Sequence, residues 1–141
     1  MEKMFPDDWI IKTRHFDAGQ DWETPIPAFF IIRAMKKIRS ISEFTDDEAT
    51  EFIKLVHMLR KGMKEILGIE KTMFFQNEGS EHTFHFWLFP RYGWMERFGT
   101  GSRSMMAIKE YAMENMSGED NKGKVIEAVM KMREYMKPLK L

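Results

Sequence analysis

The chain has no cysteine among its 141 residues. That absence excludes disulfides, zinc–thiolate sites and thiol nucleophiles. It has no surplus of charge either: 22 basic residues stand against 22 acidic ones. No overall field therefore draws the chain to nucleic acid or to a membrane surface, and an anionic ligand has to be held locally. No apolar run reaches the length of a membrane span or of a signal-peptide core, so a soluble, cytoplasmic protein is expected. Internal repeats and low-complexity tracts are absent. The glycine-rich turn Gly99–Arg103 precedes a helical pattern, a place where backbone amides can hold phosphate. It lacks a lysine at P-loop spacing, and a plain turn is the simpler reading. No cofactor and no metal are expected.

What is present in quantity is soft and aromatic bulk, 14 methionines and 12 phenylalanines, which suits an adaptable, ring-rich interior. The length suits one domain with a real core. We expect that domain to span 1–141, with a core over 9–91 and a C-terminal helical extension over about 102–137.

In order, Trp9–Thr13 reads as a strand and Phe16–Ala18 as its return across a turn at Arg14-His15. Gln20–Pro27 is a stiff, proline-bearing connector that places Asp21 and Trp22 where they could face a ligand. Ala28–Ile32 reads as a strand buried on both faces, followed by a basic connector over Arg33–Arg39, a run that is usually solvated but could meet phosphates. Thr45 with Glu48 three residues later forms a capping box. It opens a helix whose apolar positions are Ala49, Phe52, Ile53, Val56, Leu59, Met63, Ile66 and Leu67, with Gly68 as its stop. His57 falls at the edge of that stripe. Thr72–Gln76 and Thr83–Phe89 read as an antiparallel pair joined through the Asn77–Ser80 turn. Helices are expected over about Ser104–Asn115 and Lys124–Met136, the second with Val125, Ile126, Val129, Met132 and Met136 on one face. The sum is an α+β fold: an antiparallel sheet, one long helix packed on it, and further helices at the C-terminal end.

The chemistry concentrates between Phe74 and Arg91. Alternation sends Thr83, His85 and Trp87 to one face of the strand, and Phe84, Phe86 and Leu88 to the other, toward a core. A neutral imidazole among apolar strand residues and beside a polar turn could act as a nucleophile, or it could be a histidine satisfied by hydrogen bonds within a sheet.

In this order and spacing, the chain resembles the histidine triad family of nucleotide hydrolases and transferases over most of residues 9 to 91. The family signature is His-x-His-x-His-x-x, often followed by Pro-Arg, on a strand after an Asn-containing turn. Here Pro90-Arg91 sets the register, so the three positions are Thr83, His85 and Trp87. The middle histidine is kept and both flanking ones are replaced. Upstream, Asp21 and Pro27-Ala28-Phe29 stand at the spacing of the family's Asp-x5-Pro-Gly-His. A further family histidine corresponds to Lys37, and Ser40–Glu48 is similar to the family's helix entry. The resemblance thus describes a divergent branch with Thr-x-His-x-Trp in place of the triad.

The resemblance implies a histidine-triad-like fold and a nucleotidyl-histidine intermediate on His85, formed from a substrate such as a dinucleoside polyphosphate or a nucleoside phosphoramidate. Asp21 matches the position that accepts from ribose hydroxyls, and Trp22 the one that packs on the base. Asn77 and Ser80 match polar positions near the phosphates. Trp87 brings one indole N–H where the family brings a donor to phosphate, and Thr83 offers a hydroxyl. His82 is a candidate general acid if the strand begins later than alternation from Thr83 requires, and Arg91 a candidate phosphate contact. A two-fold homodimer is the implied assembly. The alternative is a nucleotide-binding or interaction protein that keeps the pocket with weakened turnover.

Overall fold

The computed structural model describes residues 3–139. Five strands, β1 (Trp9–Lys12), β2 (Phe16–Gln20), β3 (Phe30–Ala34), β4 (Thr72–Gln76) and β5 (His85–Pro90), form one sheet in the order β1-β2-β3-β5-β4. Every neighbouring pair is antiparallel. The helices are α1 (Asp46–Glu65), α2 (Arg103–Asn115) and α3 (Glu119–Met136). The expected α+β architecture, an antiparallel sheet with one long helix and C-terminal helices, is the observed one.

α1 starts where its capping box dictates. The Thr45 hydroxyl accepts from the Glu48 amide at 3.1 Å, and the Glu48 carboxylate accepts from the Thr45 amide at 2.8 Å. Phe52, Leu55, Val56, Leu59 and Met63 form its buried stripe. The expected stripe was broader. Ala49 is exposed, Ile53 falls on the far side of the helix, and Ile66 lies past its last turn. On the same sheet face, Phe16, Ala18, Phe30, Ile32, Phe84 and Leu88 complete a core with this stripe and with residues of α3. α3 lies against β1 and α1. The close crossing of α1 and α3 needs Gly62, since a Cβ there would come within 2.8 Å of Met132 and of the Tyr135 ring.

α3 begins five residues before the expected Lys124. Gly118 is extended at its N-cap, and Glu119 and Asp120 supply first-turn acids. Gly123, which falls between the two expected helices, lies inside this one, where a glycine is tolerated at a cost of roughly 1 kcal/mol. Ile126 is exposed, and Ala128 takes the buried position instead.

Several strand boundaries also differ from expectation, and those of β3 and β5 matter for the site. β3 starts at Phe30 because Ala28 adopts φ 68°, a left-handed backbone that cannot join a ladder. β3 also runs on to Ala34, paired with β2 and β5, so Arg33 lies in the strand and not in a basic connector. β5 starts at His85, which leaves Thr83 outside the strand.

Candidate functional site

The site grows from strand register on the face opposite α1. His85 pairs with Arg33 across β5 and β3, and Arg33 with Asp17 across β3 and β2. Directly paired residues point to the same face, so these three side chains form one polar row. Arg33 Nη1 lies 3.3 Å from Asp17 Oδ1, and its Nη2 lies 3.9 Å from Asp8 Oδ2. The Arg33 guanidinium also stacks 4.9 Å from the centre of the Trp22 ring, with Lys3 Nζ 4.2 Å from the same ring. Asp8, Trp9, Asp17, Trp22 and Arg33 help to line a cavity of about 340 Å³ beside this row.

His85 Nδ1 is 2.6 Å from the carbonyl oxygen of Thr83. A carbonyl can only accept, so Nδ1 carries the hydrogen, and the Nε2 lone pair of the neutral ring is left for another partner. Burial is the strongest influence on this imidazole and pushes its pKa below the usual histidine range. The positive charges of Arg33 and His82 push the same way, against the upward pull of the Thr83 carbonyl and Asp17. The contribution of Thr83 to the ring is thus its backbone oxygen.

His82 precedes the start of β5, so strand alternation does not fix its direction. Its ring centre lies 5.3 Å from that of His85. The loop carrying it is pinned from outside the site: Arg39 donates to the carbonyls of Ser80 and His82, and Ser40 Oγ donates to Glu78 at 3.0 Å. Asn77 uses its Oδ1 to accept from the Gly79 amide at 2.9 Å, and Ser80 Oγ donates to the His82 carbonyl at 3.3 Å. Both side chains shape the loop that leads to His82.

Trp87 follows His85 on the same face, set edge-on to Phe29 at 5.1 Å and tilted on Phe75 at 5.2 Å. It belongs to the second core, where α2 seats Met105, Ile108 and Ala112 against Ile31, Phe29 and Phe89. Asp21 is half-buried, and its Oδ2 is a buried acceptor with no hydrogen-bond partner among the described residues. Arg91 stands apart. It is six residues from His85 at the other end of β5, about 20 Å along the strand. Its guanidinium donates to Ser104 Oγ at 3.1 Å and to the Gly99 carbonyl at 2.6 Å, which ties the glycine-rich turn to the sheet. Among the described residues, no group of three or more His, Asp or Glu side chains is placed to hold a metal ion. None of their helices is long and apolar enough to cross a membrane.

The structure therefore brings His85, His82 and the Thr83 carbonyl together, joins them to Trp22 through Arg33, and leaves Arg91 elsewhere. Arg33, Asp17, Asp8 and Arg39 were not singled out from the sequence. Period-two alternation carried two residues beyond Ile31 would have found Arg33, because it continues the Phe29, Ile31 face.

No family model matches the sequence, and no curated protein matches it. Solved structures do match its fold. A NitFhit protein from C. elegans superposes with a TM-score of 0.62 at 13% identity, covering 92% of this chain. This chain spans only 27% of that larger one. A hypothetical histidine triad nucleotide-binding protein from Sulfolobus tokodaii gives 0.59 at 14% identity over 94% of this chain and 90% of its own. A Hit-like protein involved in cell-cycle regulation from Bartonella henselae gives 0.53 at 19% identity over 87% of each. The fold of this chain is the histidine-triad-like α+β fold.

Proposed function

We propose that this chain is a divergent histidine triad protein that binds a nucleoside phosphate and transfers its nucleotidyl group through His85, to water as a hydrolase or to another acceptor as a transferase. The observation that carries this reading is the Nδ1–Thr83 carbonyl bond, which fixes the tautomer of an imidazole whose pKa is already pushed down. Such a ring is neutral at physiological pH and presents Nε2 as a nucleophile. The matching fold of a protein described as nucleotide-binding supports the ligand class.

In the first step the Nε2 lone pair forms a bond to the α-phosphorus. The bond from phosphorus to the leaving oxygen or nitrogen breaks, and the leaving group takes that electron pair and a proton. His82, 5.3 Å from His85 ring to ring, is the side chain we assign to deliver this proton. In the second step water adds to phosphorus and returns a proton to His82, the P–N bond breaks with its electron pair going back to the neutral imidazole, and a nucleoside monophosphate leaves. The cavity beside Arg33 takes the nucleoside, with Trp22 against the base. Asp21, at the position where the resembling family accepts from ribose hydroxyls, is the residue we assign to that role. Asn77 and Ser80 hold the loop near the phosphates. We assign the whole span 1–141 to one domain, in the cytoplasm, assembled as a homodimer.

One observation favours a second reading, a pocket with weakened turnover. Trp87 brings no charge to the strand, and Arg33 is already shared by two carboxylates. Mass spectrometry after incubation with dinucleoside polyphosphates and nucleoside phosphoramidates separates the two. An adduct one nucleotidyl group heavier, lost in His85→Ala, is expected. Binding without adduct or turnover establishes the second reading, and absence of binding across purine and pyrimidine nucleotides removes both. Sedimentation that finds a monomer at high concentration removes the dimer.

A further inference from the structure

The strand that bears His85 supplies no cation to a phosphate held there. Its neighbour on the same face, two residues on and roughly 7 Å away, is Trp87. Arg33 pairs with Asp17 and Asp8, so little of its charge is left for an incoming anion. A phosphate brought to His85 would sit in a half-buried, low-dielectric setting, where uncompensated charge is costly.

α2 carries what the strand lacks. Its buried residues Met105, Ile108 and Ala112 seat it on the same sheet face. Lys109 directly follows Ile108, a fully buried residue, so its backbone position is fixed by the core. Its ammonium lies 4.7 Å from the centre of the Trp87 ring and 5.8 Å from that of Phe29. Contacts of this kind hold a cation loosely, at about 0.5–2 kcal/mol. Lys109 takes part in no ion pair among the described residues, whereas Arg33 and Lys36 both do. An ammonium that a partly buried lysine holds over Trp87, with no ion-pair partner among the described residues, is free to turn toward an anion at the next position of the strand.

We infer that Lys109 binds the phosphate held at His85, so that a helix laid across the sheet supplies the positive charge that the β5 strand lacks. This rests on the nucleotide reading of the site and names a further binding residue within it. The substrate class it favours is one with a full negative charge on the reacting phosphate, as opposed to an uncharged nucleoside.

The test is calorimetric titration of wild type, Lys109→Met, Lys109→Gln and Lys109→Arg with AMP, GMP, CMP and UMP, each set against its own nucleoside. Wild type is expected to bind at least one monophosphate more tightly than the matching nucleoside. Lys109→Met, which keeps the apolar contact with Trp87, is expected to lose about tenfold or more of the monophosphate affinity, leaving nucleoside affinity unchanged. Lys109→Gln should behave alike and Lys109→Arg should retain most of the binding. Monophosphate affinity unchanged in the two neutral variants overturns the role of Lys109 and leaves the nucleotide reading standing. A wild-type protein that binds nucleoside and monophosphate equally also overturns it. Wild type that binds none of the eight compounds removes the nucleotide reading, and the inference with it.

Discussion

On the α1 side of the sheet, Phe30, Ile32, Phe84 and Leu88 are essentially inaccessible to solvent. On the other side the same strands carry Ile31 and Phe89 under α2, and then Arg33 and His85 where that cover ends. Each strand contributes to both faces by alternation alone, so one residue of phase separates a position that can only be apolar from one that can carry charge. The first face is closed by two helices and buries aromatic rings edge to face. The second is closed over only part of its area, which leaves a polar row bordered by a packed cluster. Rigid packing beneath and beside the row is what can hold an imidazole, a guanidinium and two carboxylates at fixed separations.

The strongest way to break this comparison is to cross one substitution from each face. His85→Ala is expected to reduce nucleotidyl transfer at least ~1,000-fold while changing stability by less than about 1 kcal/mol, because the ring is only half-buried. Phe52→Ala should do the reverse. Phe52 touches the rings of Phe16, Phe44, Phe84 and Phe86, and its removal should cost about 3–5 kcal/mol in denaturant unfolding. The residual folded protein should retain ligand binding. If His85→Ala unfolds the chain, or Phe52→Ala is thermodynamically silent, the division of labour between the faces is wrong.

A smaller effect sharpens the electrostatics of the open face. In the proposed mechanism the attacking form of His85 is neutral, so activity is expected to fall as pH drops through its pKa. That pKa is held below the ordinary value of about 6.5, first by burial and then by Arg33 and His82. The same shift means the folded state prefers the neutral ring: the associated stability is present above the unfolded-state pKa and disappears as pH falls through the lower folded value. Arg33→Met removes a positive neighbour and should move the acid limb of kcat/KM to higher pH. Asp17→Asn removes the opposing negative charge and should move it lower. NMR titration of the His85 ring checks both, and shifts of the same sign in the two variants would contradict the row as drawn.

Much of the closed face was legible beforehand, because a capping box at Thr45, helical spacing from Phe52 to Met63 and alternation along Phe84–Leu88 are local signals. The histidine was legible for the same reason. What escaped was set by contacts distant in sequence. Arg33 looks like the head of a basic run Arg33–Arg39 until β3 is known to continue to Ala34. Asp8 and Lys3 reach Arg33 and Trp22 only through the folded path of the N-terminal segment. Lys109 is one of several lysines on a helix until that helix is laid over Trp87. Arg91, by contrast, carried a motif signal, but the strand length between it and His85 sends it to the opposite end.

The smallest expected effect concerns the residue at which β3 becomes available to both faces. Ala28 stands where the resembling family has glycine, and it keeps the backbone that glycine would favour, φ 68°. An L-residue in that region costs roughly 1–2 kcal/mol. Ala28→Gly relieves this, but it loses a buried methyl worth about 0.8 kcal/mol and adds about 0.5–1 kcal/mol of chain entropy to the unfolded state. These terms offset one another, so the variant should match wild type within about 1 kcal/mol in urea unfolding. Ala28→Val tests the same backbone from the other side. A β-branched residue strongly resists positive φ, and the site is almost fully buried, so a loss of more than about 2 kcal/mol is expected. Equal stability of the alanine and valine proteins would mean that the turn has left the left-handed region. β3 could then start earlier and slip by a residue, exchanging Arg33 between the two faces and dismantling the polar row.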